Sequence, residues 1–335
     1  MTWFGFGFDG FGQMRPAGVS GQVSCNVNTP VLISDVCGSE CGVRVRASWS
    51  SRADVHRARC GSHVCVSGFV SGSSEEDCGA VLPESEGCTD ALISERYLTL
   101  SFTDRVECWE IQHPQNKLVW KREQDNTGHA VALPLVSGGY IMPKPPFFRA
   151  LCSKLCAVSL ALGSEHAVLL TSDGTVYSWG SGSHGQLGHG ALTSQEEPQV
   201  VEALWGVPIR AVSAGNWHSA SVSGNTEQPI NEDEKKEADV FISIQAFPAL
   251  VDVPYVSEIS SISCGSRHTA AVTGTGDLYT WGWGHYGQLG HGTENSTDEP
   301  TLVDYFPSHH MCVKDVICGL WNTFVSAVPK EQPPS

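Results

Sequence analysis

Long apolar runs are missing from this 335-residue chain. Nothing in it approaches the roughly 20 residues a bilayer-spanning helix needs, so an integral membrane protein is not expected. The opening MTWFGFGFDGFGQMRP has neither a basic leader nor an unbroken apolar core, which argues against a secretory signal. Charge is also sparse, at 17% of residues, and basic charge is the scarcer kind: 20 Lys and Arg against 36 Asp and Glu leave a net −16. The shortage is concentrated in residues 151–335, which hold 7 basic and 20 acidic side chains. Non-specific nucleic-acid binding depends on cations that neutralise phosphates, so direct DNA binding is not expected. A basic protein surface, such as a histone, complements this chain better. The nearest thing to a basic cluster is Arg44, Arg46, Arg52, Arg57 and Arg59, whose alternation reads as a solvated strand edge.

Recognisable chemistry is missing too. The 13 cysteines contain no C-x-x-C, and the nearest pairs are Cys37/Cys41, Cys60/Cys65 and Cys152/Cys156. Zinc sites usually show two close pairs, or one pair with a spaced His pair. The cysteines therefore read as free thiols in a reducing compartment, several of them small apolar fillers. Neither a metal nor a cofactor is expected. No Ser-His-Asp order, G-x-S-x-G, H-E-x-x-H or P-loop can be defended. GFGFDGFG imitates a nucleotide-binding glycine loop, but no helix follows it. Glu196 and Glu197 sit beside a proline in a loop, where carboxylates are solvated by default. The chain does not read as an enzyme.

What is abundant is glycine (35) and tryptophan (10), and a repeat explains both. Residues 163–190, GSEHAVLLTSDGTVYSWGSGSHGQLGHG, return as 265–292, GSRHTAAVTGTGDLYTWGWGHYGQLGHG. Gly163, His166, Trp179, Gly185 and Pro198 each recur 102 residues later, as Gly265, His268, Trp281, Gly287 and Pro300. Half-copies lie at AGNWHSASV (Gly215, His218) and CGLWNTFVSAV (Gly319, Asn322), so the leading glycines are 52, 50 and 54 residues apart. A unit of about 50 residues points to a propeller or solenoid. Within each unit, two short β-rich stretches flank a tight turn, and a glycine-dense crossover follows. That describes a propeller blade better than a helical repeat. His166, His218, His268, His189 and His291 recur at equal positions. Recurrence suggests one structural job, satisfied hydrogen bonding to backbone between blades, and the repeated Trp179 and Trp281 read as core packing.

The G-x-x-H…D-G-x-V-Y-x-W-G-x-G-x-x-G-Q-L-G-H-G unit resembles the repeat of the regulator-of-chromosome-condensation family, which forms β-propellers. The likeness is specific over residues 158–328. The WFGFGFDGFGQ start, the PFFR segment, the FPAL linker and the YTWGWGHYGQLGH blade resemble a vertebrate branch that works with a Jumonji-C lysine demethylase/hydroxylase. The expected fold is all-β, a propeller of about six or seven blades. The last half-unit ends at residue 328 without its W-G-x-G-x-x-G-Q-L-G partner, and residues 3–13 supply that half-motif. The N-terminal strand should therefore complete the last blade and remove two exposed sheet edges. Residues 1–328 then form one propeller. In it, 43–136 are degenerate blades, 137–155 a Pro/aromatic connection, 156–328 the clear repeats, and 329–335 a disordered tail. After His218 the W-G and G-Q-L-G elements are absent, and a charged loop at 225–239 takes their place, so this blade is truncated or rebuilt.

The remaining candidate is Pro143, Lys144, Pro145, Pro146, Phe147, Phe148 and Arg149. Three prolines favour an extended, low-entropy peptide, with two aromatics and two cations as anchors. The same residues also suit an inter-blade linker whose Phe pair packs on the ring. The resemblance favours docking into a Jumonji-C partner's cleft, with either Lys144 or Arg149 presented. It implies a non-enzymatic scaffold acting in histone methylation and chromosome segregation. The location it implies is nuclear and chromosome-associated, with a cytoplasmic pool. The alternative that the resemblance carries is guanine-nucleotide exchange on a small nuclear GTPase.

Overall fold

A computed structural model describes residues 1–14, 25–33, 42–58, 61–69, 81–111, 115–124, 132–224, 245–254, 256 and 258–330. The charged segment 225–239 and residues 331–335 lie outside the described residues. Among the described residues the protein is almost entirely β, and no helix is long and apolar enough to cross a membrane.

The strands run in chain order as a series of antiparallel sheets. First come β1 (Thr2–Phe8) and β2 (Asn26–Ile33). A three-stranded sheet follows, of β3 (Gly42–Ala47), β4 (Ser51–Ala58) and β5 (Gly61–Gly68). The next has four strands, β6 (Asp90–Ile93), β7 (Tyr97–Ser101), β8 (Arg105–Glu110) and β9 (Lys117–Glu123). Short strands β10 (Leu135–Val136), β11 (Gly139–Ile141) and β12 (Phe148–Ala150) make another sheet. The first clear repeat supplies β13 (Ala157–Leu162), β14 (His166–Thr171), β15 (Val176–Gly180) and β16 (Gln195–Val200). Among the described residues, β17 (Ile209–Ala214) and β18 (Ser219–Ser223) pair after it as a two-stranded sheet. The second clear repeat supplies β19 (Ile259–Cys264), β20 (His268–Thr273), β21 (Leu278–Gly282) and β22 (Thr297–Leu302). Last come β23 (Met311–Cys318) and β24 (Asn322–Pro329), which join the first two strands in the order β2-β1-β24-β23.

Among the described residues the result is six sheets of three or four strands and one of two, within the six or seven blades expected. Two differences from the sequence reading stand out. Residues 135–150 were expected to be largely connection, but they fold as a small sheet of their own. The final strand also extends through Pro329, one residue past the expected boundary.

Ring closure follows the expected route. β1 pairs with β24 from Thr2↔Ala327 to Gly7↔Asn322. Its sequence TWFGFGF is buried on both faces, as a strand between two other sheets must be. Phe6 is 0% exposed, and Phe4 meets Phe306 edge to face at 5.6 Å. The equivalence to the repeats extends to single bonds. Gln13 Oε1 accepts from the Phe11 amide at 3.1 Å, as Gln186 Oε1 accepts from His184 N at 2.8 Å and Gln288 Oε1 from Tyr286 N at 2.9 Å.

The recurrent W-G also gains a cause. Gly7, Gly180 and Gly282 have φ of +108°, +105° and +102°, and a Cβ there would stand 2.5, 2.3 and 2.4 Å from the carbonyl oxygens of Trp321, Glu165 and Arg267. Only glycine combines that backbone with that approach. Gly68, at φ +103° against Ser50 O, holds the same place in the degenerate blade, where no W-G marks it.

The closing strand's burial predicts a measurable dependence. Phe6→Ala should cost about 3–5 kcal/mol of unfolding free energy, read from urea or thermal midpoints. Leu118→Ala, on the exposed outer strand β9, should change it by under about 1 kcal/mol. Equal effects would mean that the N-terminal strand does not close the ring.

Candidate interaction site

The inner strands of the sheets surround a central channel of about 720 Å³. Residues from β3, β6, β13, β17, β19 and β23 line it, joined by Leu133 and Pro134. Arg44 and Arg46 point into it and meet Asp90 at 3.2 and 2.8 Å. Asp90 Oδ2 also accepts from the Leu133 amide at 3.1 Å, which ties two sheets together.

Arg44, Arg46 and Arg52 are therefore not a solvated edge, whereas Arg57 is exposed as expected. Arg52 is buried, donating to Asp54 at 2.8 Å and to Gln13 O at 2.9 Å, and Arg57 donates to Thr89 O at 3.0 Å. Arg59 lies outside the described residues.

The segment 143–149 is divided by burial. Ile141 before it is fully buried, and Phe147 packs with Val106, Cys108, Leu133 and Ile141, its ring 5.1 Å from that of Tyr97. Phe147 is thus a core residue between two sheets and offers no surface to a partner. Phe148 is half-buried under the Arg122 guanidinium, 3.7 Å from its ring centre. Between the anchors, Met142 N donates to Phe147 O at 2.7 Å. The prolines therefore form a closed, bent loop instead of an extended peptide. Lys144, Pro145 and Pro146 are exposed on that loop, and Pro143 and Lys144 also line the channel. Arg149 is exposed on β12, paired across to Tyr140. Among the described residues neither Lys144 nor Arg149 forms an ion pair.

A second surface feature was missed at the sequence level, where tryptophans were read mainly as core. Phe8, Phe69 and Trp283, which follow the constrained Gly7, Gly68 and Gly282, build an aromatic arc together with neighbouring loops. Phe11 contacts Phe8, Trp49 and Phe69 at ring-centre distances of 5.6, 5.3 and 5.9 Å. Phe8 continues to Tyr286 at 5.3 Å, and Trp283 stands 5.1 Å from Trp321. Trp49 and Phe69 are 44% and 54% exposed, so the arc faces solvent in part. Spacing hid it, because its members come from separate stretches of the chain, around Phe8, Trp49, Phe69, Trp283 and Trp321.

The two-stranded blade leaves a space of about 250 Å³ between Ser219–Ser221 of β18 and the returning segment at Phe247 and Pro248. That segment is held by Gly190 N donating to Ala246 O at 2.9 Å.

Comparison with known proteins agrees with this geometry. The regulator of chromosome condensation (RCC1) repeat matches residues 157–222 and 259–326 through two family models. The RCC1 domain-containing protein 1 of Homo sapiens is 38% identical over 98% of this chain and 97% of its own length. The chain belongs to the RCC1 repeat family. The Mus musculus counterpart is 37% identical over 99% of this chain and 98% of its own. Among solved structures, Prp20p from Saccharomyces cerevisiae superposes with a TM-score of 0.72 at 18% identity, covering 99% of this chain and 92% of its own.

Within these RCC1 repeats the histidines act between blades, through hydroxyls instead of the backbone expected. His166 Nε2 bonds Ser219 Oγ at 2.9 Å, His218 Nε2 bonds Thr269 Oγ1 at 2.8 Å, and His268 Nε2 bonds Thr323 Oγ1 at 3.0 Å. Ser219 and Thr323 donate onward to Gln186 O at 2.7 Å and Gln288 O at 2.8 Å, so the His166 and His268 links also tie down a G-Q-L-G loop. Asn322, at the histidine position of the last copy, donates to Phe8 O at 3.2 Å across the closure. His189 and His291 instead bond Ser178 and Thr280 inside their own blades, at 2.9 and 3.0 Å.

Burial pushes His166 and His218 down to about 4 and His268 down to about 3. An unfolded histidine titrates near 6.5. Below that pH the unfolded chain binds protons that the folded one refuses, so stability is complete above about pH 6.5. It falls toward pH 4 by about 1.4 kcal/mol per pH unit for each such histidine. His268→Asn, copying Asn322, should remove one histidine's share of the slope in urea midpoints measured from pH 6.5 to 4.5. An unchanged slope would show that this histidine is not held neutral.

Proposed function

We propose that this chain is a non-catalytic RCC1-repeat scaffold that binds a Jumonji-C lysine demethylase/hydroxylase through the loop at 143–149. In this reading it works in the nucleus, in histone methylation and chromosome segregation. The observation that carries the docking part is the loop itself. Buried Ile141 and Phe147 and the Met142–Phe147 hydrogen bond hold its ends, while Lys144, Pro145 and Pro146 stand exposed, Lys144 at the channel. A loop fixed this way loses little conformational freedom on binding. Lys144 and Arg149 are cations without acidic partners among the described residues of an acidic chain, which suits them to a carboxylate-bearing cleft. The named partner comes from the motif resemblance. Identity to RCC1 domain-containing protein 1 across nearly the whole chain supports a shared role with that protein.

A second reading has its own observation. The Prp20p structure, similar in fold, was described together with that protein's binding to Gsp1p and histones. Histones would suit the acidic C-terminal half here. Exchange activity on a small nuclear GTPase would appear as accelerated release of bound nucleotide.

The docking reading predicts that Lys144→Glu/Arg149→Glu lowers affinity for a purified Jumonji-C partner at least tenfold, with the melting temperature unchanged. A peptide of residues 140–152 should compete. Wild-type affinity of the double variant would reduce the loop to a connection between sheets. These surface changes are the informative ones, because Phe147→Ala would open the core.

A further inference from the structure

The β4–β5 hairpin carries a group of side chains that the docking loop does not use. Its register pairs His56 with His63 and Asp54 with Cys65. Residues two apart on a strand share a face, so all four project from the same side of the hairpin. Arg52, next in the same series, reaches Gln13 O at 2.9 Å and lies 5.8 Å from the Phe324 ring centre. That side therefore faces the closing sheet. The imidazole nitrogens of His56 and His63 and the thiol of Cys65 all lie within 4.8 Å of one another. His56 and Cys65 are each only 2% exposed, while His63 is half-buried. The two rings stack 5.0 Å apart, tilted by 11°.

We propose that His56, His63 and Cys65 form a zinc site. Two imidazoles and one thiolate make a mixed nitrogen–sulfur set that suits a tetrahedral d¹⁰ ion. Bonds of about 2.1 Å to nitrogen and 2.3 Å to sulfur place tetrahedral donors roughly 3.5 Å apart. Small side-chain rotations cover the difference, because the hairpin already fixes the three attachment points. Asp54 adds negative charge at the next position on the same face. Its Oδ2 is held by Arg52 at 2.8 Å, whereas its buried Oδ1 accepts no hydrogen bond among the described residues. A metal here would clamp β4 to β5 beside the seam at which the ring closes. The spacing, His-x₆-His-x-Cys, matches no finger pattern, which is why cysteine counting alone pointed away from any metal.

The test uses the full chain, purified with a non-thiol reductant and stripped with EDTA. Titration with Co²⁺ should produce a thiolate–cobalt charge-transfer band and tetrahedral d–d bands. Zn²⁺ should displace the cobalt at one equivalent and raise the melting temperature, as any ligand selective for the folded state does. Cys65→Ser and His63→Gln, the latter at a partly exposed position, should each weaken binding at least tenfold, while Cys312→Ser retains it. Absence of the thiolate–cobalt band in the wild-type chain would overturn the site. So would unchanged stoichiometry and spectra in both ligand variants. The wild-type spectrum decides the matter even where a variant folds poorly.

Discussion

The pairing of β1 with β24 is the constraint on which everything else rests. Until Thr2 finds Ala327 and Gly7 finds Asn322, the last sheet lacks its outer half and the ring has two free edges. Free edges invite association with other chains, and a closed ring removes them. The cost is entropic, because the contact joins the two ends of the chain. Loop-closure entropy grows only logarithmically with separation, by about 0.6 kcal/mol per doubling. Burial of Phe4 and Phe6 among Val325, Ala327 and Phe306 offsets a cost of that kind. The first strand is accordingly rich in aromatic residues, whereas equivalent strands inside the ring manage with VYSWG and LYTWG.

Closure also explains why the histidine links are directional. Each one runs from the start of one blade's second strand to a hydroxyl in the second strand of the next, and in the His166 and His268 links that hydroxyl then secures a loop of the first blade. Buried polar groups are tolerated only when they are bonded, so each blade's histidine depends on its neighbour being in place. The chain of links ends at Asn322, whose partner is the Phe8 carbonyl of the N-terminal strand. The blades thus hold one another in series, and the series terminates on the strand that closes the ring.

Legibility in the sequence followed repetition. Gly163, His166 and Trp179 could be recognised because they return at a fixed offset, and WFGFGFDGFGQ because it completes a broken copy. Gly68 performs the task of Gly7, yet it lies in VSGF with no tryptophan before it. The strain it relieves is set by Ser50 O, a neighbour far along the contact map but unmarked in sequence. The loop at 143–149 was found from composition alone. Its division into a buried Phe147 and an exposed Lys144 depends on which sheet lies beneath it, and no local pattern encodes that. The His56–His63–Cys65 group was hidden for a related reason. Strand register brings its members together, and register is a property of the pairing instead of the spacing.

The charge distribution links the scaffold to its surfaces. Arg44, Arg46, Arg52 and Arg57 come from the most basic stretch of the chain, and each is consumed internally, by Asp90, by Asp54 with Gln13, or by Thr89. Those cations work as structural donors, three of them ion-paired to Asp90 or Asp54, while Arg57 stays exposed. Lys144 and Arg149 differ in having exposed positions and no ion pair among the described residues. Interface energy concentrates where a few side chains enter well-packed pockets, and an exposed cation on a restrained loop is suited to doing so. The same ring that spends Arg44, Arg46 and Arg52 on cohesion leaves Lys144 exposed at the channel and Arg149 exposed on β12. In the docking reading proposed above, recognition would depend on the placement of these cations more than on the net charge of the protein.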